Sequence, residues 1–235
     1  MLTILIGRAK TGKSDTMLRR MAELGESSQQ ILLVPEHASH QAEVDVCRAC
    51  GDTASRHAEV LSFRRLGERV LSITGGIADV TLDNGGKLLT LQRALLETAP
   101  QMTVYRKPSQ KVGFLEQMLA LFDELRSYEV TPEILYRQAQ DMNGATHDKL
   151  TDLSLLYAAY EARLRRPGLD ARDRMTKLCD HLEESGYVRD KDIFIDGFTY
   201  FNAQERRALA IFLRQARSVT VTLLGEVNSR EEIFE

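Results

Sequence analysis

The chain has 235 residues, 43% of them apolar and 28% charged, and a formal net charge of −3. That length can bury one large core or two smaller ones, and the near-neutral charge leaves no global basic field, so any nucleic-acid contact must come from local patches. Cys47, Cys50 and Cys179 are too few and uneven for a disulfide framework, "LTILI" is too short for a signal peptide, and no run approaches the roughly 18 apolar residues of a membrane span, so a reduced, cytoplasmic protein with no membrane partner is expected.

In chain order, five continuous apolar runs read as strands: Leu2–Ile6, Ile31–Val34, Glu59–Ser62, Asp192–Asp196 and Val219–Leu224. Continuous rather than alternating runs suit strands covered on both faces, and the first four each lead into a turn and a helix-like pattern. This is the grammar of an α/β fold with a parallel sheet. Between the third and fourth runs the periodicity is helical. Leu88, Leu91, Leu95 and Ala99 form one stripe, Phe114, Met118, Leu121 and Leu125 a second, and Leu153, Leu156, Tyr160 and Leu164 a third. Thr131 and Pro132 read as the cap and first turn of a further helix. The expected organisation is a discontinuous α/β domain, residues 1–78 and 189–235, interrupted by an all-helical insertion, residues 79–188.

The first strand runs into "GRAKTGKS", which matches G-x-x-x-x-G-K-[ST] with Gly7, Gly12, Lys13 and Ser14. Glycines let such a loop curl so that backbone N–H groups aim at phosphate oxygens, and the helix behind adds its positive end. Gly7, Ala9, Lys10, Thr11, Gly12, Lys13 and Ser14 are therefore the expected nucleotide contacts, with Lys13 reaching the outer phosphates and the Ser14 hydroxyl on Mg²⁺. Such a site needs a carboxylate at the end of another strand. Asp196, closing "DIFID", is the expected magnesium partner of Ser14, whereas Asp192 lies at the opposite end of the same strand.

Two further loops fall on the carboxyl edge of the sheet, where open α/β folds bind ligands. "VPEHASHQAE" places Pro35, Glu36 and His37 after the second strand, and "LSFRRLGERVL" places Phe63 and Arg64 after the third. An aromatic beside arginines offers base stacking and phosphate contacts, so Phe63, Arg64, Pro35 and His37 are the candidate DNA-binding residues. The pairs His37/His40 and Cys47/Cys50 lie within one helical stretch, which suits packing better than a tetrahedral zinc site.

With "GRAKTGKS", "LLVPEHASHQAE", "VLSFRRLGERVLSITGG", "DLSLLYAAYEARL" and "FIDGFTYFNAQE" in this order, the chain resembles the N-terminal part of the AddB subunits of bacterial AddAB helicase–nucleases. The resemblance runs through essentially the whole chain. It implies a RecA-like P-loop domain of the superfamily 1 (1A) type with a helical 1B insertion, in a fragment of a longer subunit. The intact subunit would add a second lobe and a nuclease domain carrying an iron–sulfur cluster. It would pair with an AddA-type motor subunit and process double-strand breaks for homologous recombination, with Chi recognition. The resemblance also implies a nucleotide-sensing role for Gln204. Where helicase motors carry Asp-Glu, this chain has Asp196-Gly197, and glycine cannot act as a base. No catalytic residue is therefore assigned, and the expected role is ATP–Mg²⁺ and single-stranded DNA binding with weak or no hydrolysis. Two rival readings are an active P-loop NTPase or kinase and a nucleotide-independent scaffold for the motor.

Overall fold

The apolar runs pair into one sheet. A computed structural model describes residues 1–75, 82–107, 113–166, 169–170 and 174–225. In chain order the elements are β1 (Leu2–Gly7), α1 (Lys13–Leu24), β2 (Gln30–Leu33), α2 (Ser39–Cys50), α3 (Ala54–His57), β3 (Ala58–Leu61), α4 (Phe63–Thr74), α5 (Asn84–Thr98), α6 (Phe114–Ser127), α7 (Pro132–Gln140), α8 (Gly144–Leu164), β4 (Arg165–Arg166), β5 (Leu169–Asp170), α9 (Arg174–Ser185), β6 (Asp192–Ile195), α10 (Ala203–Gln215) and β7 (Ser218–Leu224). The main sheet is five-stranded, in the order β1-β7-β6-β2-β3, and every pairing in it is parallel. The protein thus has the expected α/β fold of RecA-like kind. Because the strands run one way, the loops after β1, β2, β3 and β6 all open on one edge.

Side chains alternate across the sheet, as the pleat requires. Leu32, Val34 and Phe194 pack with Met17 and Met21 of α1 and Val46 of α2. Leu33, Leu61, Ile193 and Ile195 face the other way, onto Leu66 of α4, Leu178 and Leu182 of α9 and Phe212 of α10. The central strands β2 and β6 are buried at every position, which explains why they read as unbroken apolar runs.

By contacts the chain divides into two compact units, Met1–Ile77 with Arg174–Glu235, and Ala78–Asp173. The expected boundary at 78/79 lies outside the described residues. The other boundary falls before α9 rather than after it. Leu178 and Leu182 of α9 are wholly buried in the core that also holds Leu66 and Phe212, so packing assigns this helix to the sheet unit.

The second unit packs α5, α6, α7 and α8 around Leu91, Met118, Phe122, Leu135, Leu156 and Tyr160. Phe122 and Tyr157 stack with centroids 4.6 Å apart. Pro132 opens α7, and the Thr131 hydroxyl accepts the Ile134 N–H at 3.4 Å. Asp152 of α8, 2% exposed, accepts the backbone N–H groups of Thr103, Val104 and Tyr105 at 3.0, 2.8 and 2.9 Å. One departure from an all-helical unit is the antiparallel ladder β4–β5, two residues per strand. The Pro167-Gly168 pair between them is a turn signal, but two arginines carry no strand pattern. Among the described residues no helix is long and apolar enough to cross a membrane.

Candidate functional site

The loop between β1 and α1 is curled by two left-handed residues, Lys10 at φ 60° and Gly12 at φ 79°. Gly12 meets the left-handed region at no steric cost, whereas Lys10 holds it against its Cβ. The Thr11 hydroxyl donates to the Arg8 carbonyl at 2.8 Å, and the Thr16 N–H and hydroxyl both donate to the Gly12 carbonyl at 2.9 Å. A Cβ at Gly7 would lie 2.5 Å from the Thr11 hydroxyl oxygen, so a side chain there would displace the hydroxyl that bonds Arg8. Lys13 Nζ donates to the Gly7 and Arg8 carbonyls, each at 2.7 Å, which fixes an ammonium across the mouth of the loop. Ala9, Lys10, Thr11 and Ser14 are exposed on the same turn.

Asp196 follows β6. Its N–H donates to the Leu33 carbonyl at 3.0 Å, and its carboxylate accepts the Thr222 hydroxyl from β7. Thr222 is an orienting residue without a signal in the sequence, because it reaches Asp196 only through the β6–β7 pairing. Ser14 and Asp196 line one cleft of about 160 Å³, together with Val34, Gln41, Asp45 and Gly197. Gln41 and Asp45 belong to α2, where the Gln41 amide donates to Asp45 at 2.9 Å.

Gly197 stands at φ 79°, and a Cβ there would come within 3.4 Å of Pro35 Cδ. A side chain at the place of the missing base is therefore disfavoured by the backbone. The two acids that could stand in for a base, Glu205 and Glu36, are engaged elsewhere. Glu205 accepts the Asn202 N–H at 2.9 Å in the capping box of α10. Glu36 is bonded by Arg64 and Ser62, and these bonds, Arg64's first, hold its carboxyl below the ordinary carboxylate range.

The candidate DNA residues divide. Pro35 is half-buried against Gly197 and His37 is exposed. Arg64 is half-exposed and forked between Glu36 and Glu68, the latter at 2.9 Å. Phe63 is only 8% exposed, with its ring edge-on to Phe198 at 5.6 Å, and Phe198 stacks on Phe201 at 5.0 Å. Among the described residues, an exposed aromatic at this edge is Tyr200, 74% exposed, in the turn after Asp196. Its signal was "GFTYF", a run of aromatics with too many for the core alone. Gln204 is 7% exposed and donates to the Thr176 hydroxyl at 3.1 Å, so its amide is turned into the packing of α10 on α9.

Comparison with known proteins gives one family throughout. The family model described as "ADDB, N-terminal" matches residues 4–234. A protein named as the B subunit of an ATP-dependent helicase/deoxyribonuclease, from Clostridium kluyveri, matches at 31% identity, covering 99% of this chain and 21% of the relative. The same name attaches to relatives from Desulforamulus reducens at 36% identity and Moorella thermoacetica at 34%, each covering 94% of this chain and 20% of the relative. The chain spans about a fifth of the length of these relatives. With the glycine loop, the strand-end aspartate and a match over almost every residue, the chain belongs to the AddB N-terminal family.

Proposed function

We propose that this chain is the nucleotide- and DNA-binding N-terminal part of a helicase–nuclease subunit acting with an AddA-type motor in double-strand-break repair by homologous recombination. The relatives' name supports ATP, DNA and a partner subunit as the setting. On this reading the sheet unit is a superfamily 1 lobe of the 1A type and the helical unit a 1B-type insertion. Chi recognition and the nuclease with its iron–sulfur cluster belong to the intact subunit.

The observation that carries the reading is the cleft shared by Ser14 and Asp196 beside the curled loop. A hydroxyl and a carboxylate are hard oxygen donors that suit Mg²⁺, directly or through its water shell. The space kept open by Gly7 and the N–H groups from Ala9 to Ser14 suit phosphate oxygens. Lys13 would exchange two neutral carbonyl partners for charged ones, which strengthens its hydrogen bonds. Bound Mg²⁺ would supply neutralisation of phosphate charge. Hydrolysis is weak or absent, because Gly197 offers no base and Glu36 and Glu205 are held by other partners. Single-stranded DNA would cross the same edge past Pro35, His37 and Arg64. Tyr200 gives the stacking face there, and Phe63 supports the aromatic group from beneath.

Calorimetric titration of ATP–Mg²⁺, with and without single-stranded DNA, tests this. Binding without turnover is expected. Brisk turnover that vanishes in Lys13→Ala would make the chain a working NTPase, and absence of binding would leave a scaffold.

A further inference from the structure

Asparagine followed by glycine occurs twice among the described residues, at Asn84-Gly85 and Asn143-Gly144, and both pairs open helices of the helical unit. In this dipeptide the glycine nitrogen meets no side-chain obstacle on its way to the Asn amide carbon, so the pair can close into a ring. How readily it does so depends on how firmly the backbone holds the asparagine. The two pairs are held very differently.

Asn84 lies in the first turn of α5. The residue before it, Asp83, caps that helix: its side chain accepts the Gly86 N–H at 2.7 Å and its carbonyl accepts the Lys87 N–H at 3.0 Å. Ring closure at Asn84 must turn its backbone out of helical geometry and undo that turn. The Asp83 carboxylate also stands next in sequence and opposes the negative charge that the attacking nitrogen must carry.

Asn143 is the N-cap of α8, in extended conformation at φ −126° and ψ 158°. Its side chain takes no capping bond, and among the described residues its carbonyl takes no bond from α8. Asn202, which caps α10, shows the usual arrangement: its side chain accepts the Glu205 N–H and its carbonyl the Arg206 N–H, both at 2.9 Å. Gly144 stands at φ 59°, with open space around the place of a Cβ. The positive end of a 21-residue helix favours the nitrogen anion and the oxyanion that ring closure forms.

We propose that Asn143-Gly144 is a spontaneous modification site, at which the chain converts Asn143 to aspartate and isoaspartate well ahead of Asn84. The Gly144 nitrogen gives its proton to solvent base and bonds to Asn143 Cγ. The Cγ–Nδ2 bond breaks, and ammonia leaves with a proton from water. Water then opens the cyclic imide. Attack at Cγ gives aspartate, and attack at the main-chain carbonyl gives isoaspartate, which has an extra carbon in the backbone. The net change consumes a water, releases an ammonia and leaves a carboxylate at the head of α8. That charge suits a helix end whose first N–H groups lack a side-chain cap. The change falls on a joint that is otherwise fixed, since His147 Nδ1 donates to the Ala139 carbonyl at 2.8 Å between α8 and α7.

The test uses the full-length subunit, incubated in warm, mildly alkaline buffer and followed by peptide mass spectrometry. Asn143 should convert at least about tenfold faster than Asn84, the margin expected when only Asn84 must first open a helical turn. In urea the two pairs differ only in their sequence neighbours, and their rates should converge. Equal rates in the folded subunit, or a gap that persists in urea, would overturn the proposal. A protease that cuts only before normal aspartate separates the two products, and both should appear. Aspartate alone would mean direct hydrolysis and would remove the ring route. The capping claim is read separately in Asn143→Asp, where hydrogen exchange at Ala145 and Thr146 should slow by about two- to tenfold, the effect of one added cap. Unchanged or faster exchange there would overturn the fit of a carboxylate to this helix end.

Discussion

Asp192 and Asp196 stand at the two ends of β6, and the chain uses them in opposite ways. Asp192 is 2% exposed and fully engaged: Arg217 bonds it through two nitrogens, and the Ser218 hydroxyl donates at 2.6 Å. Asp196 is partly exposed, takes the Thr222 hydroxyl, and opens onto a cleft with Ser14. The same residue type at opposite ends of one strand thus locks the amino end of the sheet and faces an open cleft at the carboxyl end. A carboxylate with its lone pairs taken by the fold is a structural anchor, and one that still faces a cleft retains its capacity to hold a cation's water shell.

That contrast can be broken by substitution. The largest effect should come at the carboxyl edge from Lys13→Ala, which should weaken ATP binding at least about a hundredfold by removing a charge-assisted contact to phosphate. The melting temperature of the nucleotide-free protein should hardly move. A comparable loss of stability would make Lys13 a structural residue like Asp192. Asp196→Asn should weaken Mg²⁺-dependent nucleotide binding by about ten- to a hundredfold, the range for groups acting on a metal through its outer shell. Binding in EDTA should be unchanged, and calorimetry in both buffers checks this.

Asp192→Asn should show the reverse pattern, with nucleotide affinity kept and about 2 kcal/mol of stability lost on urea unfolding, because Arg217 loses a buried partner. The pH dependence has a definite sign. Burial pushes the Asp192 carboxyl up, but the hydrogen bonds from Arg217 and Ser218 outweigh it, and the folded value lies below the ordinary one. Its contribution is therefore complete above about pH 4 and is lost as pH falls through the lower folded value. The variant should lose stability less steeply on acidification in that window; an unchanged acid limb would remove Asp192 from the account. The smallest effect should come from Arg64→Ala, which should weaken single-stranded DNA binding a few-fold and reduce the salt slope by about one unit. Unchanged slope would leave Arg64 as the partner of Glu36 and Glu68 alone.

The strands were legible because each is an apolar run with covered faces, and their ends agree to within a residue: Gly7 extends the first, and Gln30 and Ala58 begin the second and third. The loop was legible because its chemistry needs residues at fixed spacing. Strand order was not, since β7 meets β1 through pairings more than 200 residues apart in sequence, such as Leu2 with Val219. The same cause hid Thr222 and the burial of Phe63, whose cover, Phe198, arrives 135 residues later. α9 shows the limit of periodicity. Its stripe marks a helix, while the choice of Leu66 and Phe212 as neighbours is made in three dimensions.

Asp152 has a consequence for how the helical unit behaves in time. Its carboxyl group gathers three successive amides, Thr103 to Tyr105, that belong to no helix or strand. Segments of this kind ordinarily exchange their protons within the dead time of an experiment, because nothing needs to unfold to release them. Here the three bonds let go only when α8 moves, so these protons should be among the slow ones of the unit. Asp152→Ala should free all three together, turning one short stretch from clock-like retention to immediate exchange while neighbouring amides keep their pace.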